Sequence, residues 1–351
     1  MFFGVTTDVN KRQFVSCARK IVNSLKSKGT DIVVEESLAK KLGLKGKSIK
    51  DMDVDMLICV GDDGVILKTL LELRDKQIPL LGVRTPGNLG FLAETSTTNF
   101  DSYIDNILEG NWKIEERSRI EAEIDGEKTS PALNEIAIFA KRSATLIHYT
   151  LKINEEFMWR DSADGVIVST PSGSTAYALS AGGPIVTYDA PVLVVVPVNS
   201  LNQARRPLVV SDDREIIIDE IESPVTCEII LDGRIRENIE EKTVKIRKSK
   251  YGALFVKLSE GVFTPLKEKL YMKVRQWEEK ESLPPSAKLV LKVLEYEGPM
   301  TQKEIAEKTL LPRRTVRNAL KILLQKELIV KRTTLRDARL SIYHIKGFDE
   351  E

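Results

Sequence analysis

The strongest constraint on the fold lies in residues 1 to 95, where short apolar runs alternate with stretches of helical periodicity. Phe2–Val5, Ile32–Val34, Met56–Val60 and Ile78–Val83 read as strands, and Phe14–Leu25 and Val65–Leu73 carry apolar residues at the spacing of one helix face. Strands that alternate with helices imply crossover connections, so this pattern predicts βαβ units and a parallel sheet. From about residue 113 to 258 the texture changes. Ala132–Ala140, Leu146–Ile153, Gly165–Ser169, Val192–Val196, Glu215–Ile218, Val225–Leu231, Thr243–Ile246 and Ala253–Lys257 are short β-rich runs punctuated by Gly, Pro and Asp, which predicts a mostly β second domain. Residues 262–281 read as a helical connector that packs back on what precedes it, and the prolines of Ser282-Leu-Pro-Pro-Ser286 mark its end. The expected domains are therefore 1–100, an α/β nucleotide- or phosphate-binding layer; 101–261, β-rich; the connector 262–281; and 282–351.

Composition then narrows the chemistry. Lys and Arg total 53 against 52 Asp and Glu, a net charge of +1, so the whole chain is neither a basic nucleic-acid coat nor an acidic disordered tail. Residues 282–351 nevertheless hold 14 basic and nine acidic side chains, a net of +5, which leaves −4 for the rest. Two histidines (His148, His344) and three scattered cysteines (Cys17, Cys59, Cys227) are too few for a zinc cluster, a disulfide framework or c-type haem. There is no GxSxG elbow for a serine hydrolase. Chemistry falls to carboxylates and backbone, and no metal site built from direct protein ligands is expected. No run approaches the 18 apolar residues of a membrane span, and the N-terminal MFFGVTTDVNKRQ lacks the features of a secretion leader. With unpaired thiols, the expectation is a cytoplasmic protein with no membrane partner.

Met56–Val60 runs directly into Gly61-Asp-Asp-Gly64 and then an apolar-periodic helix. Free N–H groups and the helix dipole at such a turn favour an anion, and Asp63 at its mouth could take a proton from an attacking hydroxyl or hold a cation that bridges phosphates. A tight turn with Asp as helix cap is the plain alternative for an isolated motif. Lys68, one turn into the helix, is a candidate phosphate contact or a solvated lysine. Gly82–Leu92 combines three glycines and a proline in an apolar setting, as a binding loop would. Asn134-Glu135 is a polar pair inside an apolar run, which a solvent-facing strand bend would also explain. Asp164–Pro184 passes from a buried-type strand to a turn crowded with hydroxyls and small residues, and these suit ribose or phosphate oxygens better than a structural turn would require.

In this order the four elements resemble the NAD kinase family. Gly61–Val65 is similar to its G-G-D-G-T, Asn88–Leu92 to N-x-G-F-L, Asn134-Glu135 to its N-E pair, and Asp164–Tyr177 to D-G-x-x-V-S-T-P-T-G-S-T-A-Y; weaker signatures are Arg206-Pro207-Leu208 and Asp232-Gly233. The resemblance covers about residues 1–280. It implies a phosphofructokinase-like α/β domain with a β-sandwich-like, NAD-binding second domain, and phosphorylation of the adenosine 2′-hydroxyl of NAD by ATP or polyphosphate, with Mg²⁺ or another divalent cation, to give NADP. It makes Asp63 the proton acceptor, with Gly64 beside it. Asn134 and Glu135 would bind NAD hydroxyls or the adenine side, and Asp164 the nicotinamide side. Thr175, Ala176, Tyr177 and Ser180 would line the adenine and ribose pocket. A homo-oligomer, dimer or tetramer, is implied too. Three departures stand out: Asp62 replaces the second glycine of the turn, Val65 replaces its threonine, and Arg160-Asp-Ser-Ala precedes Asp164 where the family commonly has Arg-Gly.

The tail lies outside this resemblance. Ser286–Tyr296 reads as an amphipathic helix, Thr301-Gln-Lys-Glu304 as a capping box that opens a second, and Pro312–Gln325 as a third. Leu328–Val330 and Ser341–Ile345 could form a wing around Arg332, Arg336 and Arg339. The whole resembles a winged helix-turn-helix. Arg313, Arg314, Arg317 and Lys321 put cations on the exposed face of the third helix, as a helix in the major groove of duplex DNA would have them, although such modules also bind proteins. Three readings follow: an NAD kinase fused to a DNA-binding domain, an NAD(P)-sensing transcriptional regulator with an inactive kinase-like part, and a lipid or sugar kinase that shares the Gly-Asp-Gly turn. The intact Asp63, Asn134-Glu135 and Asp164 favour the first.

Overall fold

The computed structural model describes residues 1–88, 90–239, 243–258, 283–326, 328–334 and 337–345. The expected connector 262–281 and Arg336 lie outside these residues, as does the side chain of Arg339. Two compact units are present: Met1–Ile66, Leu80–Lys113 and Val256–Glu351 form the first, and Leu67–Pro79 and Ile114–Phe255 the second.

The first unit is built on a parallel sheet. Its strands are β1 (Phe2–Thr7), β2 (Asp31–Glu35), β3 (Gly46–Lys47), β4 (Met56–Gly61), β5 (Leu80–Arg84) and the short β6 (Thr95–Ser96), interspersed with helices α1 (Arg12–Ser27), α2 (Glu36–Leu42), α3 (Asp63–Leu73) and α4 (Phe100–Leu108). The hydrogen-bonded order is β3-β2-β1-β4-β5, with every pair parallel. β1 and β4 are buried along almost their whole length, because helices cover both faces of a parallel sheet and leave no wet side. Phe3, Val5, Ile58 and Val60 pack with Ala18, Ile21 and Leu25 of α1. Ala253–Lys257, expected among the strands of the second domain, joins this sheet beside β5 instead, and Val256 completes this core. The order reverses between β1 and β4, so the carboxyl ends of these two strands diverge and open a crevice.

The second unit is a sandwich of two antiparallel sheets, as the β-rich texture predicts. One sheet holds, in order, Leu208–Ser211, Val192–Val198, Gly165–Ser169, Glu135–Ala140, Cys227–Leu231 and Ile235–Ile239; the other holds Glu156–Ala163, Ile147–Ile153, Ile216–Glu222, Val244–Lys248, Ile120–Ile124 and Glu127–Lys128. Alternate side chains of both sheets meet in one core that includes Ile136, Ile138, Tyr149, Leu151, Val166 and Ile218. Full burial of an aliphatic side chain of this size contributes about 1.5–3 kcal/mol.

The tail folds within the first unit as three helices, Pro285–Glu297, Gln302–Thr309 and Arg313–Gln325, with a three-stranded sheet of Met300–Thr301, Ile329–Thr334 and Asp337–Ile345. This is the winged helix, with its own core of Leu291, Leu294, Ile305, Val316, Leu320 and Leu323. The capping box is present: Glu304 N–H donates to Thr301 Oγ1 at 3.3 Å, and Thr301 N–H donates to Glu304 Oε2 at 2.7 Å. Arg313, Arg314, Arg317 and Lys321 are all exposed.

Candidate active site

The crevice at the reversal of the first sheet holds the Gly61–Gly64 turn. Gly61 has φ +152°, and a Cβ there would fall 2.6 Å from Val65 Cγ2, so strand β4 can pass into α3 this tightly only through glycine. Asp62 is the cap of α3: its Oδ1 accepts the Val65 N–H at 3.3 Å. Its other oxygen accepts from Lys11 Nζ at 2.6 Å. Asp62 therefore points aside into an ion pair, which accounts for its tolerance where the resemblance expects glycine. Asp63 is gripped by the 82–92 loop, whose Phe91 and Leu92 N–H groups donate to Oδ2 and Oδ1, each at 2.9 Å. Two main-chain donors thus fix the carboxylate in orientation at the start of a helix. Lys68 lies on exposed surface and pairs with Glu72 at 3.5 Å.

In the second unit Glu135, Asp164 and Tyr177 line one cavity of about 500 Å³. Tyr177 stacks on Phe139 at 5.9 Å between ring centroids, and Arg236, paired with Glu228 at 2.6 Å, stands on the same wall. Asp164 accepts from Asn199 Nδ2 at 2.8 Å. The cavity is organised by Asp232. This carboxylate, 4% exposed, accepts the N–H groups of Leu133, Asn134 and Glu135 at 2.8, 2.7 and 3.1 Å. Behind it Arg119 is buried, with its guanidinium donating to the carbonyls of Leu70, Arg74 and Pro131. Burial lowers the Arg119 pKa to about 10, against the pull of Asp232.

The hydroxyl-rich turn is used differently from its reading as a ligand surface. Thr170 Oγ1 donates to Leu133 O at 2.5 Å, Ser169 Oγ to Asn134 O at 3.2 Å, and Ser174 Oγ to Pro171 O at 2.7 Å. These hydroxyls are buried and pin the turn against the Leu133–Asn134 segment, satisfying main-chain carbonyls that water cannot reach. Asn134 and Thr175 are buried as well, Ala176 is half-buried, and Ser180 is exposed. Gly173 is there for space, since a Cβ would lie 2.0 Å from Asn134 O.

Two acids in one enclosed place titrate apart. Burial, reinforced by the charge of Asp232, raises Glu135 to about 8; burial raises Asp232 to about 6, limited by its three amide donors and by Arg119. Of the two, Asp232, with three amide donors and Arg119 beside it, is the more readily ionised. Glu135 Oε2 has no hydrogen-bond partner among the described residues. Asp232 was visible in the sequence only as part of a weak signature, and Lys11 and Arg119 not at all. An arginine at the head of the alternating strand Ile120–Ile124 was the one available hint of a buried cation.

Comparison with known proteins agrees with this geometry. Residues 3–112 match the family described as ATP-NAD kinase N-terminal domain, residues 133–258 the ATP-NAD kinase C-terminal domain, and residues 282–340 the MarR family. The NAD kinase of Methanothermobacter thermautotrophicus is 34% identical over 274 residues, 77% of this chain and 96% of that protein. That of Methanopyrus kandleri is 35% identical over 269 residues, 76% and 96%. The structure of an Archaeoglobus fulgidus NAD kinase in complex with ATP superposes with a TM-score of 0.62 at 26% identity, covering 78% of this chain and 99% of that one. A yeast NADH kinase complexed with NADH shares the fold, with a TM-score of 0.71 at 22% identity, covering 77% and 87%. The family matches and relatives make this chain a phosphotransferase with an alcohol group as acceptor. The chain belongs to the NAD kinase family. This sets aside the lipid or sugar kinase reading and gives no support to the silent-kinase regulator.

Two outcomes follow from the second unit. Gly173→Ala is expected to destabilise the protein by about 1–3 kcal/mol, because backbone rather than a movable side chain meets the added methyl; a denaturant midpoint equal to wild type would contradict this. The raised carboxyl pKa values make the neutral forms part of the fold's stability: this contribution is complete below the ordinary carboxyl range and is lost as pH rises towards about 8. The melting temperature of ligand-free protein should therefore fall between about pH 5 and 8, and Glu135→Gln should flatten that fall.

Proposed function

We propose that this chain transfers a phosphoryl group from ATP, or from polyphosphate, to the adenosine 2′-hydroxyl of NAD, giving NADP. The observation that carries the reading is the Asp63 carboxylate held by the Phe91 and Leu92 amides at the N-terminus of α3. A base fixed in this way accepts the proton of the attacking hydroxyl without first reorganising. Gly64 and the turn around it, at the start of α3, receive phosphate oxygens. Asn134 and Glu135 take the ribose hydroxyls or the adenine side of NAD, with Glu135 supplying a carboxyl oxygen that has no partner among the described residues. Asp164 serves the nicotinamide side, and Thr175, Ala176, Tyr177 and Ser180 the adenine and ribose, with the Tyr177 ring offering a face for stacking. Lys68 is a secondary phosphate contact that has to leave Glu72 to act.

Among the described residues no group of three or more His, Cys, Asp or Glu side chains could hold a metal ion. The divalent cation comes with the donor, as Mg²⁺ commonly does on phosphates, where it neutralises charge on the transferred group. The active form is a homo-oligomer, and its place is the cytoplasm; no described helix is long and apolar enough to cross a membrane.

The tail binds duplex DNA through the helix Arg313–Gln325. Its support is the exposed set Arg313, Arg314, Arg317 and Lys321 together with the MarR-family match.

Purified protein given NAD, Mg²⁺ and ATP or polyphosphate should form NADP, scored by an NADP-specific dehydrogenase; no product with either donor would refute the reading. Asp63→Asn should lower kcat by about 10²- to 10⁴-fold while the NAD dissociation constant stays near wild type. For the tail, fluorescence anisotropy with duplex DNA should show log affinity falling against log salt by about 0.9 per phosphate contact, and Arg313→Ala with Arg317→Ala should make the fall shallower. Absence of binding at low salt would exclude DNA as the partner.

A further inference from the structure

The crevice between β1 and β4 contains a cation that neither the motifs nor the family signatures single out. Lys11 follows β1 and reaches across to Asp62, the residue that departs from the family turn, at 2.6 Å. Its side chain is 19% exposed and that of Asp62 28%. The ammonium lies over two aromatic faces: Phe14 of α1, at 4.5 Å, and Tyr296, at 5.4 Å. Tyr296 belongs to the winged helix, in the helix Pro285–Glu297 that packs on α1. A second contact joins the same parts. Ile345, in the last strand of the winged helix, sits where a Cβ on Gly87 would meet it at 2.6 Å, and Gly87 lies in the loop whose Phe91 and Leu92 amides hold Asp63. Gln13 of α1 fastens that loop through Pro86 O at 3.0 Å.

We propose that Lys11 binds the phosphates of the donor beside the turn, offsetting the negative charge that Asp62 adds there, and that Tyr296 of the winged helix is a positioning residue that holds Lys11 there. The proposal rests on the kinase reading and adds a tail residue to its donor site. An uncompensated Asp62 would repel a polyphosphate at the turn. Paired with Lys11 it is neutralised, and an ammonium has three N–H donors, so it can keep Asp62 and take a phosphate oxygen as well. Aromatic faces hold the cation without using up those donors. The Asp62–Lys11 pair thus replaces one glycine by two charged side chains, and the replacement works only while Lys11 stays in place.

The test uses the full chain with Mg²⁺–ATP as probe. ATP dissociation constants come from calorimetry, and donor KM, NAD KM and kcat from the coupled assay. Lys11→Met should weaken ATP by about 10- to 100-fold, with the effect on donor affinity and not on NAD KM, while Lys11→Arg should recover most of it. Adding Asp62→Gly to Lys11→Met should restore donor affinity, because it removes the charge that Lys11 offsets. Tyr296→Ala should weaken ATP by about three- to tenfold and Tyr296→Phe should not. Tyr296→Leu keeps an apolar contact without a π face, so it separates loss of positioning from loss of packing, and it should behave like Tyr296→Ala. Wild-type ATP affinity in Lys11→Met, or in both Tyr296→Ala and Tyr296→Leu, would overturn the proposal. A wild-type protein that makes no NADP would instead sink the kinase reading, and the calorimetric ATP affinities would still decide the role of Lys11.

Discussion

Asp232 is enclosed, yet its carboxylate meets three consecutive main-chain N–H groups, and the cavity wall of the second unit depends on that contact. A buried carboxylate is tolerable only when donors surround it, and three amides in a row can converge on one group only if the chain at Leu133–Glu135 turns around it. That turn presents the Asn134 carbonyl to Ser169 and Thr170, and so fixes the hydroxyl-rich segment and Tyr177 after it. It also delivers Glu135 into the cavity. Arg119 balances the charge from behind and holds the second unit's segment Leu67–Pro79 through the carbonyls of Leu70 and Arg74. Removing either partner would strand the other in a place without water.

The same device appears in the first unit. Asp63 is oriented by two amides of a glycine-rich loop and Asp62 by the first turn of α3 and by Lys11. Adjacent aspartates on a four-residue turn would repel each other if both faced the crevice. Here one is assigned to a lysine and the other to the backbone, and each keeps a distinct orientation. The winged helix touches both elements that achieve this, α1 and the 85–92 loop. The winged helix and the Gly61–Gly64 turn are therefore continuous in packing, not merely joined in sequence.

The long Asp164–Tyr177 segment illustrates how far residue patterns carry. Its glycine and strand were readable, because Gly173 and the apolar Val166–Val168 leave local signals. Its hydroxyls invited a ligand role, and most turned inward, because the carbonyls they satisfy belong to a segment thirty-odd residues earlier in the chain. Asp232 and Arg119 were illegible for the same reason: a charged residue in a sequence looks solvated unless its distant partners are known. Lys11 had no motif, and only the strand order brings it to Asp62.

What the sequence determined by itself was everything carried by short-range pattern: the alternation that makes the parallel sheet, the β-rich texture of the sandwich, the capping box and basic helix of the tail, and a motif order that belongs to the NAD kinase family. These are local because periodicity, turns and caps act within a few residues. Tertiary structure alone decided which polar groups meet. It paired Asp62 with Lys11 across fifty-one positions, placed Asp232 on amides nearly a hundred residues away, left one oxygen of Glu135 without a partner among the described residues, and set Tyr296 over Lys11. The free energy of a buried charge depends on the partners that surround it in space, and sequence separation carries no information about them.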